Sequence, residues 1–372
     1  MIQSPGLLLT IIAFICVIGP LVFVHEMGHY WAARLFGVKI DAFSIGMGRE
    51  VAGRTDKRGT RWKLGWAPIG GYVRFAGDMN AVSQPTAEWL TMPADERART
   101  FQAKPVWQRA IIVAAGPAVN FVVAVLILGA FAMAFGDPGG PARIGQVVPN
   151  SAAAAAGLHP GDHVLALDGR AVARFNDVSA HVRPRAGRPV RVTFERAGAS
   201  RDVTIVPRVQ EGVTADGRTV RLGLLGVAPA GASVPEAVVS GVRQTGQIVS
   251  MMADLIGQLL TGHRSVKELG GPLQIAKVSG EQMAIGPSNF AYLVALVSIN
   301  LGFINLLPVP MLDGGHLLFY AIEAVRRRPV APDVQEWAYR GGLAALLALM
   351  LMVTVNDLGS FGLWSRLAGL IG

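Results

Sequence analysis

The residues best suited to chemistry are His25-Glu26-Met27-Gly28-His29, at the end of a long apolar stretch. A helix puts residues four apart on one face, so both imidazoles can reach one metal ion with the glutamate beside it. Two neutral imidazoles suit Zn²⁺, which makes water acidic near neutral pH, and a neighbouring carboxylate can take the proton as water attacks a carbonyl. That chemistry is peptide hydrolysis. Three ionisable groups at the end of an apolar helix are costly and are kept mainly where they pair, bind an ion or carry function. In the competing reading His25 and His29 are interfacial polar residues packed against neighbours. A catalytic zinc needs a third protein ligand and an open position. Cys16 is the one cysteine, so no cysteine zinc site or disulfide framework forms within a chain, and a metal rests on His and carboxylate.

Stepping outward to the elements that must hold these groups, 51% of the 372 residues are apolar and 16% charged, which points to a membrane rather than a cytosolic enzyme. Uncharged runs cover Gly6 to Val24, Ala110 to Phe135, Phe290 to Leu312 and Gly341 to Val355; the last is short and needs Trp337 or Leu358 to Trp364 as interfacial flanks. A cleaved signal peptide is the alternative for the first run. It is rejected because Met1 to Pro5 has no basic residue and the run leads into His25 rather than a small-residue cleavage site. The net charge of +9 would suit nucleic acid if it formed a groove. Instead the basic residues flank the spans, twelve of them between Arg34 and Lys104, so that connection is expected on the cytoplasmic side and no nucleic-acid partner is expected. Four spans then put both termini and Gly136 to Pro287 outside, and Asp313 to Arg340 inside with Arg326-Arg327-Arg328.

On the same side as His25 and His29, the third span ends in Asn305-Leu306-Leu307-Pro308-Val309-Pro310-Met311-Leu312-Asp313-Gly314-Gly315. Two prolines cannot continue a regular helix, so the backbone opens there, which at membrane depth is tolerated only against protein or a wet cavity. Asp313 is the candidate third ligand. Asp-Gly is also a common turn signal, so a helix-exit cap is the competing account. His316 is the weaker ligand candidate.

These motifs resemble the membrane-embedded site-2 proteases, most closely the regulator of sigma-E protease branch. The resemblance rests on H-E-x-x-H in the first span, N-x-x-P-x-P-x-L-D-G from Asn305 to Gly314, Phe43-Ser44-Ile45-Gly46-Met47-Gly48 and Pro68-Ile69-Gly70-Gly71-Tyr72-Val73. It implies zinc held by His25, His29 and Asp313, Glu26 as base, and Asn305 touching substrate backbone. It also implies membrane-reentrant β-structure between the first two spans, whose edge pairs with an unwound substrate segment. Arg61 to Leu64 and Gly71 to Phe75 are short and β-prone, and Gly70 and Gly71 permit close backbone approach; Gly70, Gly71, Tyr72 and Val73 are thus candidate substrate-binding residues. Strand addition would expose a carbonyl that a helical substrate hides. An ordinary cytoplasmic hairpin is the alternative. Gly116-Pro117 with Asn120 falls in the second span, where helix packing or a kink explains it as easily as a family motif does.

Between the second and third spans, Gly140 to Pro207 reads as a small α/β module. Its expected parts are strands at Ile144 to Val148, His163 to Leu167, Val190 to Glu195 and Asp202 to Val206, with helices at Ser151 to Ala156 and near Asn176 to Val182. The segment A-G-L-x-x-G-D-x-V-L-A-L-D-G resembles bacterial PDZ domains, which implies either a groove for a peptide carboxyl terminus or a filter against bulky external domains. Ser233 to Leu260 reads as an external helix partly on the membrane surface, because a fifth span would put Asp313 on the wrong side. His159, His163, His181 and His263 read as solvated or locally bonded.

The expected architecture is a polytopic α-helical membrane protein of about four transmembrane helices, with a membrane-reentrant β-hairpin or sheet and one external PDZ-like α/β domain. The expected divisions are the first transmembrane helix with HExxH (1–36), a cytoplasmic-side loop with the reentrant β-structure (37–105), the second helix (106–136), the PDZ-like domain (140–210), an external linker with amphipathic helices (211–287), the third segment (288–316), a cytoplasmic connection (317–336) and the fourth helix with the tail (337–372). The expected function is a zinc-dependent intramembrane endopeptidase of a bacterial inner membrane, in contact with the lipid bilayer. It would cut single-pass membrane proteins, by resemblance a pre-cleaved anti-sigma factor or remnant signal peptides. Two rivals are a non-catalytic scaffold with a structural zinc and a peptide-binding PDZ domain, and a metal transporter, which would need further ligands along a path through the bilayer.

Overall fold

The computed structural model describes residues 6–77, 89, 91–213, 219–265 and 270–360. In chain order these form α1 (Leu7–Leu35), β1 (Ile40–Thr55), β2 (Arg61–Phe75), α2 (Ala94–Arg97), α3 (Val106–Phe135), β3 (Ile144–Val147), α4 (Ala152–Ala155), β4 (His163–Leu167), β5 (Arg170–Ala171), α5 (Phe175–Val182), β6 (Val190–Arg196), β7 (Ala199–Ile205), β8 (Arg208–Val213), β9 (Thr219–Leu224) and β10 (Val227–Pro229). The helices α6 (Val234–Leu260), α7 (Pro272–Ile285), α8 (Pro287–Leu306), α9 (Asp313–Arg326) and α10 (Pro332–Ser360) follow. Among the described residues four helices, α1, α3, α8 and α10, are long and apolar enough to cross a membrane. The fourth starts at Pro332 rather than near Trp337, because proline suits a first helical position and Asp333 favours the first turn. It thereby reaches 29 residues without the flank at Trp364, which lies outside the described residues. The third apolar run is interrupted: α8 stops at Leu306, and Asp313 begins α9, a helix of 14 residues where a connection was expected.

The chain forms two compact units, one of residues up to 124 with those from 247 onward, the other of residues 125–246. In the first, α1 packs on α7 and α8, with Val17, Leu21 and Leu293 buried and Val278 of α7 against them. Helix α7 thus packs on the helical bundle, although the sequence assigned it to an external linker. Its start is held by Asp357 of α10, which accepts hydrogen bonds from the Gly271 amide (3.0 Å) and the Gln274 amide (3.1 Å). A carboxylate on an apolar helix is satisfied there by amides that a helix start leaves unpaired.

Strands β1 and β2 are long because each folds back on itself. Residues 40–45 run antiparallel to 71–75, and residues 52–55 run antiparallel to 61–64. Residues 42–45 also lie beside 61–64. Three glycines with positive φ (Gly46, Gly48 and Gly70) supply the irregular backbone at the bends. Where separate strands at Arg61 to Leu64 and Gly71 to Phe75 were expected, one strand runs through Gly70. Phe43 is fully buried, packing on Phe23, Tyr30 and Trp62, while Phe75 stacks on Phe101. Each such ring contributes about 1.5–3 kcal/mol by burial, which anchors the proximal half of the sheet on α1. The distal half carries exposed apolar side chains, Met47, Val51, Leu64 and Trp66.

In the second unit, β5, β4, β6 and β7 form an antiparallel sheet in that order. Its core includes Leu158, Val164, Leu167, Val178, Val192 and Phe194. Ser151 caps α4, accepting from the Ala154 amide at 3.1 Å. The module runs past residue 210, since β3 takes its strand partner from β10 with Val227 opposite Val147. The hairpin β8–β9 precedes that pairing. Helix α6 touches the end of α3 through glycine, a Cβ on Gly241 falling 2.3 Å from the Val125 carbonyl oxygen. His181 bonds Asp168 at 2.8 Å and His263 bonds Thr261 at 2.8 Å, local roles as expected.

Candidate metal centre

His25 and His29 stand one turn apart on α1, and the structure brings Asp313, at the first position of α9, to both. His25 Nε2 and His29 Nε2 are 3.2 Å apart, and Asp313 Oδ2 is 3.1 Å from the first and 3.5 Å from the second. The ligating atoms of all three lie within 4.8 Å of one another. Asp313 Oδ2 is buried yet makes no hydrogen bond of acceptable geometry. An orphaned buried carboxylate oxygen costs about 1–3 kcal/mol or more, and here it is aimed at two imidazole nitrogens that are themselves buried. Lone pairs converging on one point fit a cation between them, and an N₂O set from the protein leaves a fourth zinc position open.

Helix α3 supports the imidazoles from behind. His29 Nδ1 lies 2.9 Å from the Ile112 carbonyl oxygen, so Nδ1 carries the proton and Nε2 keeps its lone pair. His25 Nδ1 lies 3.1 Å from the Asn120 side-chain amide. The helices approach through glycine: a Cβ on Gly28 would lie 2.5 Å from the Ala115 oxygen, and one on Gly116 only 2.3 Å from His29 Nε2. Gly116 is thus the space in which His29 sits. Sequence reasoning left Gly116 and Asn120 open between a family motif and plain helix packing or a kink. The usable signal was a polar residue four positions after a glycine, on one face of an apolar helix.

Asp313 owes its position to the break. Leu307 is extended, as the following Pro308 favours, and the Leu307, Val309 and Leu312 amides bond back to the Ile304, Leu307 and Val309 oxygens at 3.0, 2.7 and 3.1 Å. Two glycines let this segment fold against α9. A Cβ on Gly314 would lie 2.2 Å from the Leu307 oxygen, and one on Gly315 2.5 Å from the Val309 oxygen. The clamp at the far side is Arg109, which donates to Glu323 Oε1 at 2.6 Å and covers the Tyr320 ring at 4.9 Å.

Glu26 is 9% exposed and lies beside His25. A Cβ on Gly71 would lie 2.9 Å from Glu26 Cγ and 3.1 Å from Val22, so the Gly71 backbone runs directly over this glutamate. Tyr72 and Val73 continue the same strand, Tyr72 exposed and Val73 turned inward, while Gly70 (φ +72°) forms the bend before it. On one side this strand pairs with 40–45; among the described residues no strand pairs with its other side. Asn305 is half-buried in the last turn of α8, and among the described residues its amide makes no hydrogen bond. His316 is held by the Tyr339 hydroxyl at 2.8 Å and does not join the three-residue cluster.

Two imidazoles, a carboxylate and a neighbouring glutamate, set in apolar helices, define the class of a membrane-bound metal-dependent hydrolase. The chain matches peptidase family M50 over residues 13–349. It is 44% identical to "Putative zinc metalloprotease Atu1380" of Agrobacterium fabrum over 94% of this chain and 96% of that one, and 41% identical to a like-named protein of Rhizobium meliloti, R01501, over 94% and 96%. It is 37% identical to metalloprotease MmpA of Caulobacter vibrioides over 98% and 99%. A solved PDZ domain, of the SdrC-like protein of Listeria monocytogenes, aligns with 24% of this chain and 84% of that one at 17% identity, with a TM-score of 0.18, too low to carry the fold. The chain belongs to peptidase family M50, the site-2 proteases, and is a zinc metalloprotease of the membrane.

Proposed function

We propose that this zinc metalloprotease cuts the transmembrane segment of single-pass membrane proteins, with His25, His29 and Asp313 as the metal ligands and Glu26 as the proton carrier. The convergence of His25 Nε2 and His29 Nε2, within a long apolar helix, with Asp313 Oδ2 carries the reading. Zinc held by these three supplies a Lewis acid for the scissile carbonyl and makes water acidic near neutral pH. Glu26 accepts the proton from water as its oxygen bonds the carbonyl carbon, then delivers that proton to the amide nitrogen as the C–N bond breaks. The edge at Gly71 to Val73, which no strand covers among the described residues and whose Gly71 lies over Glu26, suits an extended substrate segment added as a strand, so that its carbonyl is presented beside the glutamate. Asn305, whose amide makes no hydrogen bond among the described residues, is a donor for that segment.

The substrates best suited to this reading are anti-sigma factors already shortened by another protease, and remnant signal peptides, within regulated intramembrane proteolysis. The twelve basic residues between Arg34 and Lys104 support an active site facing the cytoplasm across a bacterial inner membrane, with the PDZ-like module outside. That module would either take a peptide carboxyl terminus or exclude bulky ectodomains. A scaffold with structural zinc is less well supported, because such a site is closed by four protein ligands and three cluster here among the described residues. The test is Glu26→Gln in the full chain: zinc should stay at one per chain while cleavage of a transmembrane substrate stops. A variant that still cuts overturns the proton role.

A further inference from the structure

We infer that Asn120 positions His25 for the metal, and that it does so through its amide oxygen. The inference rests on the zinc reading above and extends it to a residue outside the ligand set. Asn120 is fully buried in α3, and its Nδ2 lies 3.1 Å from His25 Nδ1 while its Oδ1 is buried without any partner. With Nδ2 toward the ring, the amide donates to Nδ1, which requires the proton on His25 Nε2. That tautomer leaves His25 Nε2, 3.1 Å from Asp313 Oδ2, without a lone pair, and it cannot bind a cation. Amide nitrogen and oxygen exchange places by rotation about one bond. With the oxygen turned to His25, Nδ1–H donates to it and the Nε2 lone pair is freed toward Asp313 and His29.

Neither orientation pairs both amide atoms, so the protein itself leaves the choice open and the metal decides it. His29 needs no such device, because its Nδ1 faces the Ile112 carbonyl, which can only accept. The backbone of Asn120 is fixed separately: its carbonyl oxygen accepts from Ser298 Oγ of α8 at 2.8 Å. The side chain can therefore turn while the helix stays in place.

The experiment compares zinc affinity and the visible spectrum of the Co²⁺-substituted full chain for native protein, Asn120→Asp, Asn120→Leu and Ser298→Ala. An acceptor-only carboxylate fixes the metal-binding tautomer, so Asn120→Asp should keep the native spectrum and affinity within a few fold. Asn120→Leu removes the acceptor and should weaken zinc about 10–100-fold, the usual effect of losing an outer partner of a ligating histidine, with a shifted Co²⁺ spectrum. Ser298→Ala disturbs the same helix contact but not the amide, and should leave both unchanged. Native affinity and spectrum in Asn120→Leu would overturn the role, as would equal losses in the Asp and Leu variants, which would reduce Asn120 to packing. A native chain that binds no zinc would instead defeat the underlying metal reading.

Discussion

Replacing Gly116 with alanine adds one methyl group, and the structure fixes where it goes. The new carbon would lie 2.3 Å from His29 Nε2, 2.5 Å from Cε1 and 2.9 Å from Cδ2, whereas heavy atoms in contact settle at about 3.5 Å. The ring must therefore move by about 1 Å, while metal–ligand distances tolerate about 0.2 Å. Nor can it swing aside freely, because its Nδ1 is bonded to the Ile112 oxygen and the side chain is buried. Overpacking of this kind costs about 1–3 kcal/mol. Alanine in place of glycine returns up to about 1 kcal/mol of helix propensity, so thermal stability should fall modestly. Zinc should suffer far more. Losing a ligand outright should exceed the roughly 100-fold upper range seen for outer partners. Metal content of the purified full chain by mass spectrometry, with melting measured alongside, separates the two effects. Gly19→Ala on α1, where a Cβ meets nothing within 4 Å, is the matched control and should keep its zinc. A Gly116→Ala protein with native zinc and activity would refute the claim that this glycine makes room for a ligand.

Gly71→Ala brings a Cβ to 2.8 Å from the Ser44 oxygen and 2.9 Å from Glu26 Cγ; it should retain zinc but lower cleavage at least 10-fold, and unchanged turnover would separate the strand edge from the reaction. Met311 holds φ +84° just before Asp313, so Met311→Gly should melt within a few degrees of the native chain, whereas the β-branched Met311→Val should lose about 1–3 kcal/mol; equal melting of both would show the backbone to be unstrained. Burial pushes the Asp162 carboxyl up, but hydrogen bonds from Arg196 and the His159 amide outweigh it and hold the group below its ordinary range. A lowered folded-state pKa gives stability that is complete above the unfolded value near 4 and fades as pH drops through the folded one. Hydrogen exchange of residues 157–167 in the full chain should therefore stay flat from pH 8 to 5 after correction for the intrinsic rate, and loosen only below about 4. Loosening between pH 7 and 5 would rule this pair out as the cause.

The chemistry was more legible than the architecture around it. His25 and His29 announce themselves by helical spacing, and Asp313 by two prolines that must end a helix at the depth of the imidazoles; both are local properties of the chain. Four apolar helices long enough to cross a membrane were also legible, and four are present among the described residues, although the fourth run alone was short and the third ends at Leu306. What escaped was whatever depends on partners distant in sequence. The long bent strand through Gly70 read as two short ones, and no strand was read around Gly46, since alternation is lost where a strand twists through glycine. Helix α7, whose apolar pattern is broken by Lys277 and Glu281, fell within the stretch read as an external linker, yet its first turn is satisfied by Asp357, more than eighty positions away. Strand β10 is three residues long, too short for any pattern, and exists because β3 needs a partner.

The same distinction explains why glycine, rather than any charged residue, governs the precision of the centre. Histidine and aspartate can be recognised by what they bind, but they meet only if helix and loop backbones approach closer than side chains allow. Gly28 and Gly116 let α1 and α3 touch, Gly314 and Gly315 let the extended segment 307–312 lie on α9, and Gly342 of α10 accepts Pro310 so closely that a Cβ would fall 2.6 Å from its carbonyl oxygen. In an apolar solvent the burial of aliphatic surface offers little preference between packed helices and lipid, so close backbone approach and satisfied carbonyls must hold the bundle in one arrangement. A ligand set split between residues 25–29 and residue 313 therefore depends on these approaches for its alignment. A methyl group at any of these glycines should disturb zinc binding more than the removal of an exposed charge such as Arg49 or Lys57.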